Sequence, residues 1–298
     1  MTDSEAAGMQ DKGKRQLAVI ALIGTAVLWS LGGLLIKTVQ WNPFGIAGGR
    51  SLIALIVFLP FLRQCRFRFT FDMIAAAVAY SLTTLLFTGA NKLTTAANAI
   101  LLQYTAPVFV ILLASVILKE RMTKIDVWCV MGVTAGLVLF VMEGIGGGHL
   151  LGDVMALCSG FTFACLAVFM RKQKDANPME SVILGNLINA VICLPIGLVV
   201  SKPLGGLEWL VVLGLVQLGF SYLLYSFAIR HVSALQTVLL TVFEPLLNPV
   251  WVFLATGERP GWLALAGGAI VLGMVVLHAV LKKRERNALA EFSSVSPT

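Results

Sequence analysis

A chain of 298 residues that is 58% hydrophobic and 12% charged carries roughly half the charge of a soluble domain of its length, so its surplus apolar surface needs lipid around it. The net charge of +7 sits in clusters between apolar stretches, the pattern that orients helices in a bilayer, which excludes a nucleic-acid binder with its basic residues gathered on one face. Its five cysteines and three histidines show no metal or redox spacing, and no phosphate-binding loop occurs, which excludes a metal centre, a cofactor enzyme and direct use of ATP.

A spanning helix needs about 20 mostly apolar residues. The sequence predicts ten, over 17–36, 44–62, 72–90, 96–118, 127–142, 151–170, 181–200, 208–229, 233–256 and 262–281, in an all-α membrane protein. The stretch from Leu17 is longer than the apolar core of a signal peptide and lacks a small-residue cleavage site. Short tails remain at 1–16 and 282–298. Basic clusters at Lys12, Lys14 and Arg15, at Arg63, Arg66 and Arg68, at Lys119, Arg121 and Lys124, at Arg171, Lys172 and Lys174, and at Arg230 fall on one side. That side is cytoplasmic by the positive-inside rule, which places both termini in the cytoplasm and the chain in the inner membrane. Lys37, Lys92, Lys202 and Arg259 fall on the other side, and Arg50 lies within the second span.

Polar groups are costly inside a bilayer and face a protein interior or a watery cavity. In chain order, the first such group is Arg50, which either snorkels to the interface or grips a substrate carboxylate with its planar fork. The third span carries Tyr80, Thr83, Thr84, Phe87 and Asn91 at helical spacing. The eighth carries Gln217, Ser221 and Tyr225 in the same way. Two such stripes suit a cavity for an amphiphilic solute, although aromatic stripes also serve plain packing. Asn186 and Asn189 of the seventh span share a face suited to interhelical hydrogen bonds. In the ninth span Thr237, Thr241, Glu244 and Asn248 recur on one helical face, extended by Trp251, and Pro245 and Pro249 break the backbone ladder beside Glu244. Pro107 does so in the fourth span. Near the midplane, Glu244 either binds an ammonium group, exchanges a proton, or locks the ninth helix to its neighbours. Gly132 and Gly136 of the fifth span, with Gly267, Gly268 and Gly273 of the tenth, suit close packing within one protomer or in a homodimer.

The chain repeats itself. Residues 90–98 (ANKLTTAAN) match residues 228–236 (AIRHVSALQ) at an offset of 138, which continues through Pro107 and Pro245 and through Glu120 and Glu258. Further upstream an offset of 135 pairs Asn42 and Pro43 with Asn177 and Pro178, and Pro60 with Pro195. Each copy has an odd number of spans, so the second enters the membrane from the opposite side. The halves 17–142 and 150–281 are therefore inverted five-helix repeats, an arrangement that points to a carrier with its site near the midplane. Glu120 and Glu258 close short turns, satisfying backbone donors or the adjacent arginine.

Two repeats that each end in a proline-bearing helix and a glutamate, at Pro107 through Leu118, Lys119, Glu120 and Arg121 and at Glu244 and Pro245 through Thr256, Gly257, Glu258 and Arg259, resemble the drug/metabolite transporter superfamily, in particular its EamA-type permeases. Trp29 and Ser30 followed by Lys37 fit the same pattern. The resemblance covers residues 17–281. It implies a cofactor-free carrier exporting amino acids or other metabolites, with the aromatic amino-acid exporters as the nearest subgroup and drug or organic-cation permeases as the alternative. The substrate contacts expected are Trp29, Arg50, Tyr80, Thr84, Gln217, Ser221, Tyr225, Thr237, Thr241, Glu244 and Asn248, with Glu244 as the proton-coupling residue and helix breaks at Pro107, Pro245 and Pro249.

Overall fold

The computed structural model describes residues 3–120, 122–142, 150–200 and 205–256, and parts of 262–285. Among the described residues the chain is helical throughout, and six helices are long and apolar enough to cross a membrane, with shorter apolar helices beside them. Arg121, His149, Lys202, Gly257, Glu258, Arg259, Gly268 and most of the C-terminal tail lie outside the described residues, as do the side chains of Lys12, Asn98, Asn248 and Pro249.

The first span is two helices, α1 (Asp3–Ser30) and α2 (Gly32–Thr38), so helix begins well before the apolar stretch. Then come α3 (Pro43–Phe58), α4 (Phe71–Leu93), α5 (Ala96–Gln103), α6 (Ala106–Ile117), α7 (Lys124–Met142) and α8 (Leu150–Lys172). The next span joins α9 (Met179–Ile188) to α10 (Leu194–Val200) through a π-helical turn at Asn189–Cys193. A second π-helical stretch, Leu213–Phe220, joins α11 (Leu207–Val212) to α12 (Ser221–Ala228). Finally α13 (Ala234–Leu240) and α14 (Phe243–Thr256) form a broken pair.

Local chemistry sets the starts. Asn42 accepts a hydrogen bond from Gly45 N with Pro43 at the first helical position, and Thr70 and Ser233 accept from Met73 N and Gln236 N. These side chains satisfy donors that a helix N-terminus leaves unpaired. Large apolar side chains such as Ile56, Leu112, Val116 and Val199 point outward, as lipid-facing residues do. The interior mixes aliphatic residues such as Leu22, Ile46 and Leu166 with small, aromatic and polar ones: Ala76, Tyr80, Arg50, Ser221 and Tyr225 are fully or almost fully buried.

The packing follows the sequence offsets. Helix α8 packs along α4, α5 and α6, and α1 packs along α12, α13 and α14. The offsets relate α8 to α1, α4 to the span 207–228, and α5–α6 to α13–α14, so one bundle is the counterpart of the other. Between the bundles, α3 lies against the π-helical stretch beside α12, α9 lies against α4, and α3 and α10 lie against each other. This last approach is so close that a side chain at Gly197 would collide with the backbone of Gly45.

The fifth and tenth spans meet within the chain. Gly132 faces Met274, and Gly136 faces Gly267 and Val271. At the end of the same seam His278 Nε2 lies 2.8 Å from Asp126 Oδ1, with both side chains buried.

Candidate functional site

Where the two bundles face each other, the side chains of Trp29, Arg50, Thr83, Thr84, Phe87, Gln103, Phe163, Gln217, Leu218, Tyr222 and Glu244 wall a central cavity. The cavity is narrow: the space in it open to water is about 30 Å³, room for a few water molecules at most. Both bundles contribute, and α3 adds Arg50 at their seam.

Broken helices bring the polar groups there. Pro107 and Pro245 have no N–H to give to the carbonyls four residues earlier, Gln103 and Thr241. Helix α5 accordingly stops at Gln103 and α6 restarts at Ala106, while α13 stops at Leu240 and α14 restarts at Phe243. The two breaks coincide within one residue at the repeat offset. Each freed carbonyl finds cover. The Gln103 carbonyl lies so near α8 that a Cβ at Gly160 would sit 2.7 Å from it, and the Thr241 carbonyl accepts a hydrogen bond from the Tyr104 hydroxyl. Tyr104 also reaches Glu244 Oε2 at 2.9 Å, which links the two broken helices across the cavity.

Arg50 is 1% exposed, so it does not snorkel. It donates from Nη2 to the Thr84 carbonyl at 2.8 Å and from Nη1 to Gln217 Oε1 at 3.2 Å, and its Nε has no partner. Among the described residues Arg50 and Glu244 form no ion pair, so a guanidinium and a carboxyl group line one cavity without neutralising each other. A buried guanidinium without a carboxylate is costly, and it retains donors for an incoming anion. Neither charge recurs in the other repeat: the offsets place Gly185 opposite Arg50 and Ala106 opposite Glu244.

Aromatic rings complete the wall. Trp29 packs on Tyr222 and Phe163 with centroids 5.0 and 5.6 Å apart, and Tyr80 meets Tyr222 edge-on at 4.7 Å. Trp29 Nε1 donates to Ser221 Oγ at 2.8 Å.

Of the residues expected in the site, Trp29, Arg50, Thr84, Gln217 and Glu244 converge on the cavity. Tyr80 and Tyr225 stand behind them, fully buried, with Tyr80 donating to Asn186 Oδ1 at 3.0 Å. Ser221 turns its hydroxyl to the Gln217 carbonyl. Thr237 and Thr241 bond backward to the carbonyls of Ser233 and Val238. The break at 241–242 divides the single face expected along the ninth span, and Trp251 reaches Ser30 of the first span at 2.7 Å. Asn248 and Pro249 have no described side chains. Asn189 fulfils its expected interhelical role, donating to Thr84 Oγ1 at 2.7 Å and accepting from Ser81 at 2.6 Å. Glu120 takes as its partner Arg171 of α8 at 3.6 Å, and burial raises its carboxyl above the ordinary value against the opposing pull of that arginine.

Tyr104, Gln103, Phe163 and Tyr222 were not singled out by spacing. Tyr104→Phe leaves the buried Glu244 carboxyl without its Tyr104 partner, while the Thr241 carbonyl keeps the Glu244 N–H at 2.9 Å; losing a partner for a buried acceptor costs about 1–3 kcal/mol. The expected result is a lower melting temperature in detergent with the oligomeric state unchanged, read by thermal unfolding.

An all-helical fold with several apolar spans and a polar cavity between two bundles defines a multi-pass membrane protein of the solute-carrier class. The EamA-like transporter family matches the chain twice, over residues 16–142 and 150–279. The chain belongs to this family, a branch of the drug/metabolite transporter superfamily, and it transports small solutes. It is 26% identical over 259 residues to an uncharacterized transporter of Archaeoglobus fulgidus, covering 86% of this chain and 94% of that one. It is 25% identical to human solute carrier family 35 member G1, covering 87% and 77% of the two chains. A solved crystal structure shares the fold with a TM-score of 0.74 at 18% identity, over 91% of this chain and 99% of that one.

Proposed function

We propose that the protein is a secondary transporter in the inner membrane that exports amino acids, aromatic or otherwise apolar, by alternating access between inverted five-helix repeats at 17–142 and 150–281, with both termini cytoplasmic. The observation that carries this reading is that Arg50 and Glu244 line one aromatic cavity with no ion pair for either among the described residues. An amino acid presents a carboxylate, an ammonium group and an apolar side chain, and each has a complement here: the guanidinium, the carboxylate, and the rings of Trp29, Phe163 and Tyr222.

A count of hydrogens supports proton exchange at Glu244. The Tyr104 hydroxyl has one hydrogen and two acceptors, Thr241 O and Glu244 Oε2. With a proton on Glu244 the carboxyl donates to the phenol oxygen and Tyr104 serves Thr241. Without it the Thr241 carbonyl still has the Glu244 N–H at 2.9 Å, but the buried carboxylate has the phenol hydrogen at most until a substrate ammonium arrives. Proton and substrate therefore compete for the same carboxylate, which is the logic of an antiporter.

The test is uptake into liposomes carrying the purified protein, using labelled aromatic amino acids, methionine, threonine, an organic cation and a nucleotide sugar. Saturable flux of the amino acids alone supports the proposal. Flux of the cation in their place makes the protein an organic-cation or drug permease and removes the role given to Arg50.

A further inference from the structure

Polar links between the two bundles fall at the middle, through Tyr104 and through Arg50 between Thr84 and Gln217, and at the two ends. At one end Lys37 Nζ of α2 donates to the carbonyl of Thr94, the residue that closes α4, at 3.0 Å. Lys92 Nζ of α4 donates back to the carbonyl of Val39, which closes α2, at 2.6 Å. At the other end Arg171 Nη1 of α8 donates to the carbonyls of Ile229 and Arg230, just past α12, at 3.0 and 2.7 Å. Arg230 Nε donates back to the Lys174 carbonyl, just past α8, at 3.0 Å. Each is a crossed clasp in which a cation at one helix end fills the open carbonyls of the other, where cations are favoured.

The clasps are counterparts. The offset of 138 carries Lys92 to Arg230, and the offset of 135 carries Val39 to Lys174, so the two return bonds are one contact made twice. Other polar contacts near the ends join helices of one bundle: Thr94 to Asp153 at 2.8 Å, Arg15 to Gln236 at 3.1 Å, Lys172 to Asp72 at 2.9 Å, and Arg171 to Glu120. Separating the bundles at one end therefore breaks that end's clasp and spares the links inside each bundle. The acceptors are main-chain carbonyls, which water satisfies equally well once the end opens, so a clasp releases without stranding a buried charge.

We infer that the two clasps are the gates of the transport cycle: Lys37 and Lys92 hold one end of the cavity shut, and Arg171 and Arg230 hold the other. Exactly one clasp need release at a time, and the one still closed keeps the cavity sealed from the far side. The inference rests on the alternating-access reading above and assigns it residues.

The experiment reads sidedness and needs no substrate. A reporter cysteine replaces Leu218 in the cavity wall, and a membrane-impermeant maleimide is applied to one face or the other of vesicles carrying the full chain. Labelling is read at that residue by peptide mass spectrometry, so the native cysteines do not interfere. Lys92→Met is expected to raise the labelling rate from the Lys92 face by roughly tenfold, the effect of one charge-assisted hydrogen bond, and to lower it from the opposite face. Arg230→Met is expected to do the reverse. Lys92→Arg and Arg230→Lys, which keep a donor, are expected to restore the parent rates. Faster labelling from both faces in both methionine variants means a loosened fold and overturns the inference, as does labelling that neither variant changes. Sided labelling in a protein that moves no amino acid keeps the gates and removes the proposed substrate; unsided labelling with normal amino-acid flux removes the gates and keeps the carrier.

Discussion

Arg50→Gln is expected to raise the KM for carboxylate-bearing solutes by roughly 10- to 100-fold, the equivalent of about 1.5–3 kcal/mol for a lost hydrogen bond to a charged partner. The glutamine amide ends near the position of the arginine Nε, two bonds short of the Nη2 that holds the Thr84 carbonyl at 2.8 Å, so the change removes that contact along with the charge. The discriminating measurement is flux of an amino acid beside flux of the amine that lacks its carboxylate. If Arg50 reads the carboxylate, only the amino acid suffers. A purely architectural arginine would slow both solutes equally. Arg50→Lys keeps the charge and loses the planar fork, and its KM is expected to lie between those of the parent and the glutamine variant.

Glu244→Gln has the opposite character, because it imitates a state the protein already visits. A glutamine amide donates to the Tyr104 oxygen as a protonated Glu244 would, leaving the phenol hydrogen for the Thr241 carbonyl. The variant is therefore expected to fold with undiminished thermal stability, to lose flux driven by a proton gradient by at least about tenfold, and to show no pH dependence in what flux remains. Gradient-driven flux measured across the neutral pH range checks this. Flux and pH dependence equal to the parent's would end the coupling role and leave Glu244 as the tie between the broken helices. Glu244→Ala separates the two roles, since it leaves both the Tyr104 and Thr241 groups to rearrange and is expected to lower the melting temperature as well.

Much of the site was legible in the sequence, and the reasons it was not complete are physical. Trp29, Arg50, Thr84, Gln217 and Glu244 announce themselves as polar or amphipathic groups in apolar helices, where burial needs a reason. The helix breaks follow from two prolines and the repeat offset. Tyr104 gave no local signal, because its bonds to Thr241 and Glu244 join residues 137 and 140 positions apart, and nothing in the periodicity of either helix reports such a tie. The stripe Gln217, Ser221 and Tyr225 assumes 3.6 residues per turn. The π-helical stretch at Leu213–Phe220 widens the turn, so Tyr222 follows Gln217 onto the cavity wall and Ser221 bonds backward. The same effect at Asn189–Cys193 sits beside the asparagine that ties α9 to α3 and α4. Such widened turns occur often at functional sites. The histidines show no ligand spacing, and the partnership of His278 with Asp126 gave no local signal, since 152 residues separate two groups that the fold brings to 2.8 Å.

Counterflow distinguishes a carrier whose cavity faces the two sides in turn from a pore. Liposomes containing the protein are loaded with unlabelled phenylalanine and diluted into a trace of the labelled amino acid. A carrier returns its site loaded, so the account predicts transient accumulation of label well above the equilibrium level and faster entry than into empty liposomes. Label that enters at the same rate whether or not the interior is loaded, rising linearly with concentration, would contradict the account and describe an open pore.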